Sequence, residues 1–262
     1  MWGIVPAAGI GSRIQPLAFS KELLPVGSRH EGNTERPRAV SEYLLERMIE
    51  GGVTKICFVI GPSKTDIVGY YGGTFGGASV CYVVQSRPSG LCDALFAALP
   101  VLNPGEDVLI GLPDTVWFPG NAYTALPAHT FSFLLFPVSR PEFFDAVVTD
   151  DQDRVQQIQV KQRNASSTWI WGAFRLPGSV LTDLHRLWRQ RDEQDQYIGT
   201  LVNAYLACGG SALGIRAGTE YMDVGTLEGY RGAVTLLAAQ AAQTAPRPPL
   251  EPDALERAEV HP

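Results

Sequence analysis

The first 114 residues alternate between short apolar runs and segments of helical periodicity, and this alternation leaves few folds open. "WGIVPAA", "KICFVIGP", "SVCYVVQ" and "DVLIGLPD" read as buried strands, being short, apolar and rich in β-branched or aromatic residues. Between them, "AVSEYLLERMIEGGV" carries Val40, Tyr43, Leu44 and Met48 at helical spacing and stops at Gly51-Gly52. "TDIVGYYGG" reads as a short helix, and "GLCDALFAALPVL" as a helix closed by Asn103-Pro104-Gly105. Strand–helix repetition of this kind implies an α/β domain around a mainly parallel sheet, joined by right-handed crossovers. Ligands of such sheets sit outside the carboxyl ends of the strands. Two chemical features fall at that edge: a glycine loop after the first strand and Asp114 after the fourth.

The second half is less regular. "TFSFLLFPVS" and "STWIWGAFRLP" read as strands, and "FDAVVTDDQDRVQQIQVKQ" as two strands joined by an Asp-rich turn. "VLTDLHRLWRQRDEQ", "YIGTLVNAYLACGG" and "LEGYRGAVTLLAAQAAQ" read as helices, and "SALGIRAGTEYMDVGT" as a pair of strands. Residues 1–243 are expected to form one domain. The Pro-rich "APRPPLEPDALERAEVHP" that follows is expected to be a flexible tail.

The glycine loop lies in "VPAAGIGSRIQPLAFSKELLPVG". Gly9 and Gly11 let backbone N–H groups approach an anion without a Cβ in the way. Arg13 adds a planar fork for phosphate oxygens and Lys21 a mobile point charge. The loop is not a dinucleotide fingerprint, because Ile14 stands where the third glycine belongs. It is not a P-loop either, because no Gly-Lys-Ser/Thr follows.

Composition narrows the partners. A net charge of −6 provides no basic field for nucleic acid, so isolated cations on a glycine loop stand out. No apolar run approaches the ~18 residues of a membrane span, and the chain starts without a charged-then-apolar leader, which together imply a cytoplasmic protein. Cys57, Cys81, Cys92 and Cys208 form no C-x-x-C pair and read as reduced thiols. His30, His129, His185 and His261 lack zinc-ligand spacing.

The string "AAGIGSR…P…SKELLPV" resembles the signature of the sugar-1-phosphate nucleotidylyltransferases, most nearly the glucose-1-phosphate thymidylyl- and uridylyltransferases. Glycines, arginine, lysine and "LLPV" coincide in order, and the likeness extends over most of residues 2–235. The resemblance implies a Rossmann-like, three-layer nucleotidyltransferase fold with a mainly parallel mixed sheet. It implies that Ala8, Gly9, Gly11 and Ser12 cradle a nucleoside triphosphate, with Arg13 and Lys21 as the catalytic cations. The Arg13-to-Lys21 spacing is shorter than in the hexose members, which bears on where Lys21 reaches.

Further segments extend the likeness. "VVQSRPSGLCDAL" resembles a base-reading loop, with Gln85 on the pyrimidine edge and Gly90 against the base; an amide, donor and acceptor together, suits an imide edge. "LIGLPDTVW" and "EYMDVGTLEGY" resemble the two segments that hold magnesium, placing Asp114 and Asp223 as ligands. "QIQVKQ" resembles the family's Glu-Lys pair: Lys161 matches the lysine that grips the sugar phosphate, but Val160 stands where the glutamate holds sugar hydroxyls. "WIWGAF" resembles the strand beside the sugar and places Gly172 there; Trp169 and Trp171 suit either ring stacking or core packing. "GSRHEGNTE" is longer and more polar than the family's segment and reads as a flap or a plain surface loop. The resemblance further implies self-association, since members are often dimers or tetramers.

The implied reaction joins a nucleoside triphosphate (dTTP or UTP) to a sugar-1-phosphate with loss of pyrophosphate. Two alternatives stay open: an unusual sugar phosphate or phosphocholine as acceptor, with CTP, which Val160 motivates; and a nucleotide-sugar sensor without turnover.

Overall fold

The computed structural model describes residues 1–244 apart from Pro88; the expected Pro-rich tail lies outside the described residues. In chain order the elements are β1 (Trp2–Ala7), the ribbon β2 (Pro25–Glu31) and β3 (Thr34–Ala39), α1 (Val40–Glu50), β4 (Lys55–Ile60), α2 (Thr65–Tyr71), β5 (Thr74–Phe75), β6 (Ala78–Val84), α3 (Leu91–Ala97), β7 (Asp107–Gly111) and β8 (Thr115–Phe118). They continue with β9 (Ser132–Pro137), β10 (Asp145–Thr149), β11 (Val155–Val160), β12 (Trp169–Pro177), α4 (Gly178–Gln190), α5 (Ile198–Ala207), β13 (Leu213–Ile215), β14 (Glu220–Asp223) and α6 (Leu227–Thr244).

The main sheet runs β11-β10-β12-β7-β1-β4-β6-β5, with β9 also on β12 and β13 on β9. β7, β1, β4 and β6 are mutually parallel, and β12 joins antiparallel to β7. Successive residues of a central strand feed opposite layers. Ile4 and Cys57 pack with Leu95, Leu181 and Leu201 of the α3–α4–α5 layer, whereas Val5 and Phe58 pack with Leu44, Met48 and Ile67 of α1 and α2. This is the three-layer architecture expected. Truncating a fully buried residue such as Leu44 to Ala should cost about 2–5 kcal/mol. Among the described residues no helix is long and apolar enough to cross a membrane.

Four expectations need correction. First, "SALGIRAGTEYMDVGT" supplies two strands that do not pair with each other: β13 runs parallel to β9, while β14 pairs antiparallel with β8 in a separate two-stranded sheet. β8 itself follows Asp114 directly, beyond the expected end of the fourth strand. Second, residues 28–37 are not a plain surface loop but most of the β2–β3 ribbon, turning at Gly32, whose φ of 60° suits a tight turn. The ribbon is held by ion pairs, Arg36–Glu31 across it and Arg29 reaching Glu42 on α1, so it lacks the apolar alternation that betrays a strand. Third, the helix read from "GLCDALFAALPVL" ends at Ala97 and passes into a 3-10 turn, Leu99–Val101, where Pro100 cannot supply the N–H that an α-helix needs. Fourth, the fourth strand stops at Gly111, so Asp114 sits on the loop beyond it.

Candidate active site

The loop after β1 makes one tight turn, in which the Gly11 carbonyl accepts from the N–H groups of Ile14 and Gln15 at 3.0 and 3.2 Å. Among the described residues the N–H groups of Gly9, Ile10, Gly11 and Ser12 donate to no protein acceptor. Gly9 and Ser12 are exposed and Ala8 is buried, so a short row of free donors lies at the sheet edge, as an anion cradle requires. Gly11 is needed twice over. Its φ is +72°, and a Cβ there would lie 2.7 Å from Cδ of Lys21. The lysine stem therefore lies directly on the loop.

Lys21 is fixed by its neighbours. Ser20 donates through N and Oγ to Asp66 at 2.6 and 2.7 Å. Glu22, almost fully buried, receives Nζ of Lys64 at 2.7 and 2.8 Å. Both clamps come from the start of α2, and Lys21 lies between them. Its Nζ meets Oδ2 of Asp114 at 2.5 Å. The shorter Arg13-to-Lys21 connection thus still delivers the lysine to the acid. Burial pulls the Lys21 ammonium down, but Asp114 and Glu22 more than reverse this and hold it above the ordinary lysine value. Burial likewise pushes the Asp114 carboxyl up, and Lys21 more than reverses that, so Asp114 lies below the ordinary carboxylate range. Burial raises Glu22, with Lys64 and Lys21 offsetting part of the effect.

Pairing of β8 with β14 brings the second acid in. Asp223 stands opposite Thr115, and the Val224 N–H donates to the Asp114 carbonyl at 2.8 Å. Arg13 Nη1 meets Oδ2 of Asp223 at 3.0 Å. A Cβ built on Gly225 would lie 2.8 Å from Asp223 Oδ1, 3.1 Å from Asp114 Oδ2 and 3.2 Å from Arg13 Nη2. Arg13, Asp114 and Asp223 therefore converge at Gly225, and Lys21 joins them through Asp114. Tyr221 floors the cluster, packed on Phe136 and Phe144. Burial, then Asp223 and Asp114, push its phenol well up, so it stays neutral.

Gln85 and Gly90 also come together. Gln85 is buried, and its Nε2 donates to Asp93 at 2.5 Å and to the Gly90 carbonyl at 3.3 Å. Gly90 has φ +103°, and a Cβ there would lie 2.8 Å from the Gln196 carbonyl oxygen. The Leu91 N–H donates to that same oxygen. The glycine is thus required by close backbone approach of the 191–197 loop.

Lys161 stands exposed just past β11 with φ +47°, its Nζ 3.4 Å from the Tyr197 hydroxyl and 4.5 Å from the centre of that ring. Register carries it to the same edge as Asp114: Gly111 pairs with Ala173, Ile170 with Ala146, and Asp145 with Val160. Gly172 is buried. A Cβ there would lie 2.5 Å from the Tyr221 ring and 2.7 Å from that of Phe136, so the core accounts for the small residue. Trp171 is a core residue packed on Phe133 and Phe174, while Trp169 keeps partial exposure.

The sequence reading missed the support: Ser20, Glu22, Lys64 and Asp66. Glu22, a charge inside "KELLPV", was the available signal, but its partner lies 42 residues away and only the fold pairs them.

Taken together, a short row of free backbone donors, two positioned cations and two adjoining carboxylates lie at the carboxyl edge of an α/β sheet, an arrangement whose chemistry suits a polyphosphate. Comparison with known proteins agrees. A family model described as nucleotidyl transferase matches residues 2–240. The glucose-1-phosphate thymidylyltransferase of Neisseria meningitidis serogroup A is 24% identical over 250 residues, spanning 90% of this chain and 82% of the relative. That of Mycolicibacterium smegmatis is 23% identical over 239 residues, spanning 87% and 79%. Among solved structures, the UTP-bound UGPase of Acinetobacter baumannii superposes with a TM-score of 0.72 at 20% identity, covering 92% of this chain and 97% of that one. The chain belongs to the nucleotidyl transferase family.

Proposed function

We propose that this enzyme makes a nucleoside-diphosphate sugar and pyrophosphate from a nucleoside triphosphate, dTTP or UTP, and a sugar-1-phosphate such as glucose-1-phosphate. The observation that carries the reading is the convergence of Arg13, Lys21, Asp114 and Asp223 around Gly225. The names of the relatives supply the sugar-1-phosphate.

The chemistry is an in-line displacement. A phosphate oxygen of the acceptor forms a bond to the α-phosphorus while the bond from that phosphorus to the bridging oxygen breaks, and pyrophosphate leaves with the electron pair. The attacking phosphate is already ionised near neutral pH, so no general base is needed. The loop N–H groups at 9–12 bind triphosphate oxygens. Arg13 offsets charge on the departing pyrophosphate, and Lys21 does so nearer the reacting phosphorus. Lys161 orients the acceptor phosphate, and Gln85 with Gly90 lines the base.

Two adjoining carboxylates fit Mg2+, which takes one or two protein carboxylates and completes its shell with water and substrate phosphate. Asp114 and Asp223 would hold it, and when bound it would supply charge neutralisation between the two anions.

Val160 favours a second reading, the same transfer to a non-standard acceptor such as phosphocholine, with CTP. A matrix of glucose-1-phosphate, other sugar-1-phosphates and phosphocholine against dTTP, UTP and CTP, read as pyrophosphate release, separates the two. Release only with phosphocholine would sink the sugar reading.

A further inference from the structure

Asp145 is a buried carboxylate that none of the chemistry above uses. It opens β10 directly opposite Val160 on β11. On its other side, the pairing of Ala146 with Ile170 puts it beside Trp171 of β12. Its Oδ1 is sealed from solvent without a hydrogen-bond partner, and so is Nε1 of Trp171, a residue only 7% exposed. The indole N–H holds charge on the carboxylate without closing a bond of normal geometry. Burial raises the Asp145 carboxyl, and Lys161, next along the edge from Val160, pulls it back.

We propose that Asp145 binds an acceptor hydroxyl, supplying from β10 the carboxylate that the facing position on β11, Val160, lacks. The proposal rests on the sugar-phosphate reading above. The residue is only half-buried and opens β10 at the edge where Lys161 stands. There it can accept from a hydroxyl while Trp171 fixes its orientation from behind. Lys161 sits close enough to bind the acceptor phosphate with one side chain while Asp145 reads the ring with another.

The test uses the full-length enzyme, with glucose-1-phosphate and its 2-, 3-, 4- and 6-deoxy analogues as acceptors, on wild type, Asp145→Asn and Asp145→Ala. Wild type should lose about ten- to a hundredfold in kcat/KM with at least one deoxy analogue, the worth of a hydrogen bond to a charged group. Both variants should raise the KM for glucose-1-phosphate by a similar factor, leave the KM for the triphosphate unchanged, and no longer distinguish that analogue from the parent. Unchanged acceptor KM, equal loss in both KM values, or continued discrimination overturns the proposal while leaving the function standing. Failure of wild type to turn over any sugar phosphate overturns both.

Discussion

At the nucleotide end of the cleft, residues 20–22 are tied to the start of α2 by two side-chain clamps, Lys21 lies on Gly11, and both acids already face cations. At the proposed acceptor end, Lys161 stands exposed beside Tyr197, Val160 offers no polar group, and Asp145 holds an oxygen without a partner. The contrast teaches where rigidity is needed. In the proposed reaction two polyanions would meet at the first end, so its charges must be placed in advance. The second end would decide which acceptor is admitted, and there single side chains could change without disturbing the chemistry.

Variants can break this contrast. The largest effect belongs to Lys21→Ala, which should cut turnover about a thousandfold and also lower Tm, because it leaves the buried Asp114 unpaired; steady-state pyrophosphate release and a thermal melt read the two effects. Lys64→Met touches no substrate, yet it strips the partner from a carboxylate that is 1% exposed. It should cost about 3 kcal/mol in denaturant unfolding, and replacing Glu22 by Gln in the same chain should recover much of that loss. At the open end, Lys161→Ala should leave Tm unchanged and raise only the acceptor KM, by about tenfold. Equal rises in both KM values would show that the two ends are not separable.

The smallest effect is the pH dependence of stability. Asp114 lies below the ordinary carboxylate range because Lys21 outweighs burial. Its contribution is full above about pH 4 and lost as pH falls through the lower folded value. Lys21 lies above its ordinary value, so its contribution is full below about pH 10 and lost as pH rises through the folded value. Glu22, raised chiefly by burial, acts against Asp114 on the acid side. Asp114→Asn should therefore flatten the acid limb of a Tm–pH curve; an acid limb of unchanged steepness would contradict the pairing.

Much of this was legible in the sequence because it is local. Strand–helix alternation, the glycine loop and the apolar approach to Asp114 are all written within a few residues. The paired acids were legible only as separate motifs, since the β8–β14 pairing that joins Asp114 to Asp223 links residues more than a hundred positions apart. The polar ribbon β2–β3 was not legible, because ion pairs rather than apolar alternation hold it. Asp145 was hidden for a related reason. An acid at a strand start reads as ordinary surface until the register sets it between Val160 and Trp171.

The central claim is that the four charges around Gly225 carry nucleotidyl transfer. Its most direct test is pyrophosphate release from dTTP and glucose-1-phosphate, with and without Mg2+, by wild type, Asp114→Asn and Asp223→Asn. We predict metal-dependent release by wild type and its loss, by about a thousandfold, in both variants, with their folds intact by circular dichroism. Undiminished release by either folded variant would contradict the account.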